Sequence, residues 1–154
     1  MKLVSNLVNR FTRLTALIPE DLVSLVSRLA IASVFWRSAQ TKITGWEVFG
    51  QSLQFFNVTE STKMLFEYEY QVPLLPPVTA AYMATTAEFC FSILLVLGLG
   101  TRFAALGLLG VTTVIQLFVL PDGWPTHILW LALLLYLLKN GGGKIACDYV
   151  FWRL

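Results

Sequence analysis

Val78-Thr79-Ala80-Ala81-Tyr82-Met83-Ala84-Thr85-Thr86-Ala87-Glu88-Phe89-Cys90-Phe91-Ser92-Ile93-Leu94-Leu95-Val96-Leu97-Gly98-Leu99 is an apolar run in which Glu88 alone carries a charge. At 1.5 Å rise per residue it makes about 33 Å of helix, close to the hydrocarbon thickness of a bilayer. It reads as a membrane span. A hinge, Gly98-Leu99-Gly100-Thr101-Arg102, follows, and then a second apolar run from Phe103 to Leu120. The two runs predict an antiparallel helical hairpin on which the rest of the chain packs.

Composition agrees with that reading. The 154 residues suit one domain, and 56% hydrophobic content with a mean hydropathy of +0.69 lies outside the range of soluble globular proteins. The net charge of +2 is small and its basic residues are dispersed, so no clustered basic face exists for nucleic acid. Cys90 and Cys147 fall in mid-span and after the last helix. That separation argues against a disulfide.

Outward from the hairpin, residues 1–18 place Leu3, Val4, Leu7, Val8, Phe11 and Leu14 at helical spacing, with Lys2, Arg10 and Arg13 between them. Such a helix lies on the membrane surface. A signal peptide fits less well, because an apolar h-region and a small-residue cleavage site are missing. Pro19, Glu20 and Asp21 open the first span, since proline suits the first helical turn and acids its positive end. Residues 42–77 are too polar to span, yet carry Trp46, Phe49, Phe55, Phe56, Phe66, Tyr68 and Tyr70, a mixture suited to the interface. Short helices are expected at Trp46 to Phe56 and Glu60 to Tyr68. The last span, after Pro121-Asp122-Gly123-Trp124-Pro125, runs from about Thr126 to Lys139. It is only about 21 Å long, so its end should line a recess. Gly141-Gly142-Gly143 then caps the helix and frees the tail.

The prediction is an all-α fold in a single membrane domain (1–154). A transmembrane four-helix bundle has spans at about 21–41, 78–99, 103–120 and 126–139, an N-terminal amphipathic interfacial helix, and an extracytoplasmic helical loop between helices one and two. Lys2, Arg10, Arg13, Arg102, Lys139, Lys144 and Arg153 fall on one side, against Lys42 and Lys63 opposite, with Arg37 near a helix end. By the positive-inside rule both termini are cytoplasmic.

Ionisable residues inside a membrane are costly and therefore informative. Arg28 and Glu88 lie about 10 Å and about 16 Å above the inner ends of their helices, a difference that an arginine side chain bridges. They are expected to form an ion pair, structural or proton-linked. Ala81, Ala84, Thr85, Phe91 and Ser92 surround Glu88 on its helix, so this face looks into the bundle. Cys90 is about 200° around the helix from Glu88, and no metal site is expected.

A second constellation gathers toward the outer side. Lys42 tops the first helix, Gln116 the third with Thr112 and Thr113 beneath it, and His127 opens the fourth with Trp130 one turn on; Tyr82 lies near the outer start of the second. A cation, an amide, an imidazole and aromatic walls suit a quinone, a lipid headgroup or another amphipathic molecule. The alternative is an interfacial belt of snorkelling residues. One His and three Met, with no CxxC or CxxCH, give no covalently bound cofactor and no paired haem ligands.

Several motifs in order carry a resemblance. Ser27-Arg28-Leu29-Ala30 and the stretch from Phe35 to Lys42 precede Glu88; Leu97-Gly98-Leu99-Gly100-Thr101-Arg102 and Phe103-Ala104-Ala105-Leu106 follow it. Gly141-Gly142-Gly143-Lys144-Ile145-Ala146-Cys147-Asp148 closes the chain. Over about residues 22–150 the chain resembles the DoxX family of small four-helix bacterial membrane proteins. Ala39 stands where the family has Gly, and Gly142, Ala146 and Cys147 where it has Pro, Ser and Leu; Asp148 keeps the family's residue.

The resemblance implies a multi-pass protein of the bacterial plasma membrane, with the lipid bilayer and the proteins of a redox complex as partners. The family takes its name from a partner of a quinone-reactive respiratory enzyme. One hypothesis is thus a subunit or anchor of a membrane oxidoreductase system, with Lys42, Gln116 and His127 near a quinone. The other is a non-catalytic carrier or scaffold for a lipid or small molecule. Oligomeric state, a homo-oligomer included, stays open. Reporter fusions should place both termini in the cytoplasm and Glu60 outside, and a C-terminal reporter active on the outer face would overturn this topology.

Overall fold

A computed structural model describes residues 2–152. Met1, Arg153 and Leu154, and with them the Arg153 counted on the cytoplasmic side, lie outside the described residues. The protein is mostly helical. Helix α1 (Lys2–Thr15) exposes its apolar stripe of Val4, Leu7, Val8, Phe11 and Leu14. Helix α2 (Glu20–Gln40) begins after the extended Pro19, with Glu20 and Asp21 in its first turn.

Between α2 and the next long helix the expected helix at Trp46 to Phe56 does not form. A two-stranded antiparallel hairpin, β1 (Glu47–Val48) and β2 (Gln51–Ser52), stands there. Its turn residues Phe49 and Gly50 both take positive φ, as a two-residue I′ turn requires. The second short helix does form as α3 (Glu60–Leu65), with Thr59 Oγ1 accepting from the Thr62 amide at 3.2 Å. It then widens into a π-helical turn at Phe66–Tyr70.

Helix α4 (Pro77–Leu97) starts on a proline and ends at Gly98. Helix α5 (Thr101–Val114) continues into a second π-helical turn, Ile115–Val119. Among the described residues, three helices are long and apolar enough to cross a membrane: Glu20–Gln40, Pro77–Leu97 and Thr101–Val119. Helix α6 (Trp124–Asn140) is shorter, at 17 residues. It packs on both α5 and α2, and α4 packs on α2 and α5, so the four helices close a ring. Ile31, Phe35, Leu95, Leu108, Leu134 and Leu137 fill the centre and are fully buried or nearly so.

The end of the ring at Gly98–Gly100, here the hairpin end, is tied together by backbone geometry. The Leu99 amide donates to Leu94 O at 2.9 Å and the Gly98 amide to Leu95 O at 3.2 Å, a Schellman ending with Gly98 at φ +67°. A Cβ at Gly98 would meet Arg28 Nη1 and Ala146. The tail expected to be free after the glycines instead folds back on this end. Ser24 Oγ donates to Gly141 O at 2.6 Å and the Lys144 amide to Asp21 Oδ1 at 2.8 Å, and the chain closes on helix α7 (Cys147–Trp152). Buried polar groups must find partners, and α2 supplies them here.

Gly98→Ala therefore combines a left-handed backbone with two collisions. It should lower stability by at least ~1–2 kcal/mol, read as an earlier thermal midpoint in detergent, whereas Gly110→Ala, with open space around it, should leave the midpoint unchanged or raised.

Candidate functional site

Glu88 lies near the middle of α4 with 1% of its surface exposed, and Ser92 one turn on donates to the Glu88 carbonyl at 2.6 Å. The carboxylate does not pair with Arg28. Its partner is Lys42, whose Nζ donates to Glu88 Oε2 at 2.6 Å and to Ser38 Oγ at 2.7 Å. Lys42 sits just beyond α2, and its side chain runs back along its own helix by one turn, which brings the ammonium to the level of Glu88.

Arg28 is drawn elsewhere. Its Nη1 donates to Leu95 O at 3.2 Å and Val96 O at 3.4 Å, and its Nη2 to Ile145 O at 2.6 Å. The last carbonyls of a helix lack intrahelical donors and carry the negative end of its dipole. A guanidinium carries five N–H donors and can serve several of these carbonyls at once. Asp148 is likewise structural: it accepts from the Gly100 and Thr101 amides at 2.6 and 2.8 Å, neutralising the exposed N–H groups that open α5.

The Lys42–Glu88 pair lies on the wall of a cavity of about 450 Å3. Helix α2 contributes Ser38; α4 contributes Ala80, Met83, Ala84 and Ala87; α5 contributes Gly110, Val111 and Val114; α6 contributes His127 and Trp130. Both π-helical turns reach it, through Phe66 and Tyr70 on one side and Ile115 and Val119 on the other. Such turns displace side chains from α-helical register, which aims them across a site.

His127 is 3% exposed and stacks obliquely on Trp130, with centroids 4.8 Å apart. Its Nδ1 lies 2.7 Å from Gln116 Oε1, and Gln116 Nε2 donates to Pro121 O at 2.6 Å. The amide is thereby oriented oxygen-first toward the ring, so the network assigns the hydrogen to Nδ1 and leaves Nε2 as an acceptor in the neutral imidazole. Gly123 makes room, since a Cβ there would meet His127 Cε1 at 2.5 Å. Burial pushes the Tyr70 phenol above its ordinary pKa, so at neutral pH it is an intact hydroxyl donor.

The structure thus brings together Lys42, Glu88, His127 and Trp130, with Gln116 behind His127. Tyr82 is separate from them, its ring under the Lys63 ammonium at 5.7 Å. Thr112 and Thr113 donate to carbonyls of their own helix and take no part. Sequence reasoning missed Ser38, Tyr70 and Gly110 as lining residues. Ser38 lies one turn before Lys42, which is the available signal; Tyr70 and Gly110 depend on the π-helical turn and on helix separation.

The DoxX family model matches residues 23–121. The chain belongs to the DoxX family. Membership makes it a membrane protein of a family associated with oxidoreductase systems. The match takes in Lys42, Glu88 and Gln116 and stops before His127, Trp130 and the tail, a shorter span than the resemblance over 22–150. No curated protein and no solved structure matches the chain.

Removing one member of a buried ion pair strands the other, at about 3–5 kcal/mol, whereas removing both costs far less. Lys42→Met and Glu88→Gln should each depress the detergent melting midpoint, and the double variant should recover most of the loss. Strict additivity of the two single effects would show that the groups are independent.

Proposed function

We propose that this DoxX protein is a membrane subunit or anchor of a quinone-linked oxidoreductase system in the bacterial plasma membrane. It spans the bilayer four times, with both termini cytoplasmic and the β-hairpin and α3 outside. The observation that carries the reading is the cavity, in which a buried ion pair, an imidazole and a phenol share an otherwise apolar, aromatic-walled space. A quinone ring presents two carbonyl oxygens, which need donors, and a flat face, which packs on aromatic rings.

Lys42 Nζ has three N–H groups and spends two on Glu88 and Ser38, so the third and the Tyr70 hydroxyl supply donors to the oxidised ring. The quinol form carries hydroxyl donors instead, and Glu88 and His127 Nε2 are acceptors for them. The same walls accommodate both forms with exchanged hydrogen-bond roles. Trp130, braced edge-on by Phe35 at 5.4 Å, offers the stacking face. A carrier or scaffold that binds a lipid is the second reading, supported by the largely apolar lining.

Protein purified from its native membrane should carry a quinone identifiable by mass spectrometry. His127→Ala should lose it while remaining folded at the assay temperature, with a lowered melting midpoint because the imidazole is buried; retention of the quinone by that variant would separate the ligand from the cavity.

A further inference from the structure

We infer that the cavity takes an amphipathic molecule with an uncharged, hydrogen-bonding head and a long apolar tail, admitted sideways from the bilayer through a mouth between α4 and α5. The inference rests on the cavity being a ligand site, as proposed above, and adds the charge of the ligand and its route.

The charge follows from the wall. Among the described residues lining the cavity, Lys42 and Glu88 are the charged ones, and they pair with each other at 2.6 Å. A phosphate or carboxylate head would bring a third charge into a low-dielectric space where the one cation already has a counter-ion. Such a charge is expensive to bury. The polar atoms that remain for a ligand are the third Lys42 N–H and Glu88 Oε1, whose charges already offset each other, with the Tyr70 hydroxyl as a donor and His127 Nε2 as an acceptor. They select a neutral head that hydrogen-bonds at two separated points.

The route follows from where the helices part. Toward the hairpin end α4 and α5 are sealed: the Phe91 ring lies so close to Gly107 that a Cβ there would strike it, and Phe91 meets Phe103 edge-on at 5.6 Å. Toward the other end Phe66, Tyr70, Val72 and Leu75 roof the cavity. Between floor and roof the lining residues Met83, Gly110 and Val114 are exposed on the outside of the ring. A Cβ at Gly110 would meet nothing within 4 Å. Met83 lies six residues into α4, about 9 Å along it, and Glu88 about 16 Å along it. The mouth therefore faces acyl chains, at the depth of the hydrocarbon. At about 450 Å3 the cavity is at the small end of ligand sites, which run from about 300 to 1,000 Å3. It holds a ring-sized head and leaves an apolar chain in the mouth and the bilayer, where burial of each methylene favours binding.

The test uses full-length protein in lipid nanodiscs and three probes: a benzoquinone with a ten-carbon tail, the same ring without the tail, and oleate. The tailed quinone should bind at least about tenfold more tightly than either of the others. Gly110→Phe, and independently Met83→Trp on the facing helix, should weaken the tailed quinone by a similar factor while leaving the tail-less ring unchanged. The second variant covers the case in which the first does not fold. Equal binding of tailed and tail-less rings with no effect of either variant would overturn the bilayer route while the cavity reading stands. Tighter binding of oleate than of the quinone would overturn the neutral head. Failure of both quinones to bind wild-type protein would remove the cavity reading, and this inference with it.

Discussion

The structure depends on one buried cation whose side-chain hydrogen bonds, among the described residues, go to backbone carbonyls. Arg28 spends its guanidinium on backbone carbonyls, two from the end of α4 and one from the tail, and so joins three segments far apart in sequence at one point. Hydrogen bonds from a charged donor are worth about 1.5–3 kcal/mol each when the acceptors would otherwise be unpaired. The cluster of acceptors exists only because α4 stops where it does. Gly98 turns the chain into the left-handed region, Leu95 O accepts from both the Gly98 amide and Arg28, Val96 O accepts from Arg28, and Ala146 packs beside Gly98. With the tail held by Arg28, Asp148 reaches the first amides of α5, so the opening of one helix and the ending of another are fixed by the same contact.

Beyond that anchored end the packing gives way to the cavity. Near the hairpin end the contacts are large and interlocking, with Phe91 against Gly107 and Leu95 and Leu108 in the centre. Further along, the facing residues shrink to Ala80, Ala84, Ala87 and Gly110. Small side chains between long helices either draw the backbones together or leave a space. Here a space remains, with the Lys42–Glu88 pair, residues of the two π-helical turns and Trp130 on its walls. The polar groups of the site occupy its edges, each braced from behind: Lys42 by Ser38, His127 by Gln116, Trp130 by Phe35. Bracing of this kind keeps polar atoms oriented in a medium that offers no water to replace a lost partner.

The loop between α2 and α4 belongs to the same construction. The backbone of Lys42 is pinned by the start of α3, since the Thr59 amide donates to Lys42 O at 3.0 Å. Tyr70 and Phe66 descend from the adjoining π-helical turn into the roof. A segment too polar to cross a membrane thus positions both the cation and the phenol of the site.

The four long apolar helices, the proline starts and the Gly98 stop were legible in the sequence alone, because apolar runs and the special backbone of proline and glycine are local properties; the fourth helix is longer than its apolar run indicated, 17 residues from Trp124 to Asn140. Arg28 and Glu88 stood out in the sequence as charges at membrane depth and Lys42 and His127 as polar residues near the outer helix ends, while Asp148 was marked only by the family resemblance. The pairing of these groups was not legible. Depth along a helix suggested Arg28 with Glu88, but the choice of partner turned on carbonyls exposed by the Gly98 ending and on a tail that folds back, neither of which periodicity encodes. The β-hairpin at Glu47–Ser52 and the two π-helical turns escaped for a related reason: five residues of altered register leave no pattern of their own, and aromatic content alone does not separate helix from hairpin. The opening between α4 and α5 was decided by tertiary structure only, because a space between helices is a property of how far apart their axes lie and of no single residue in either.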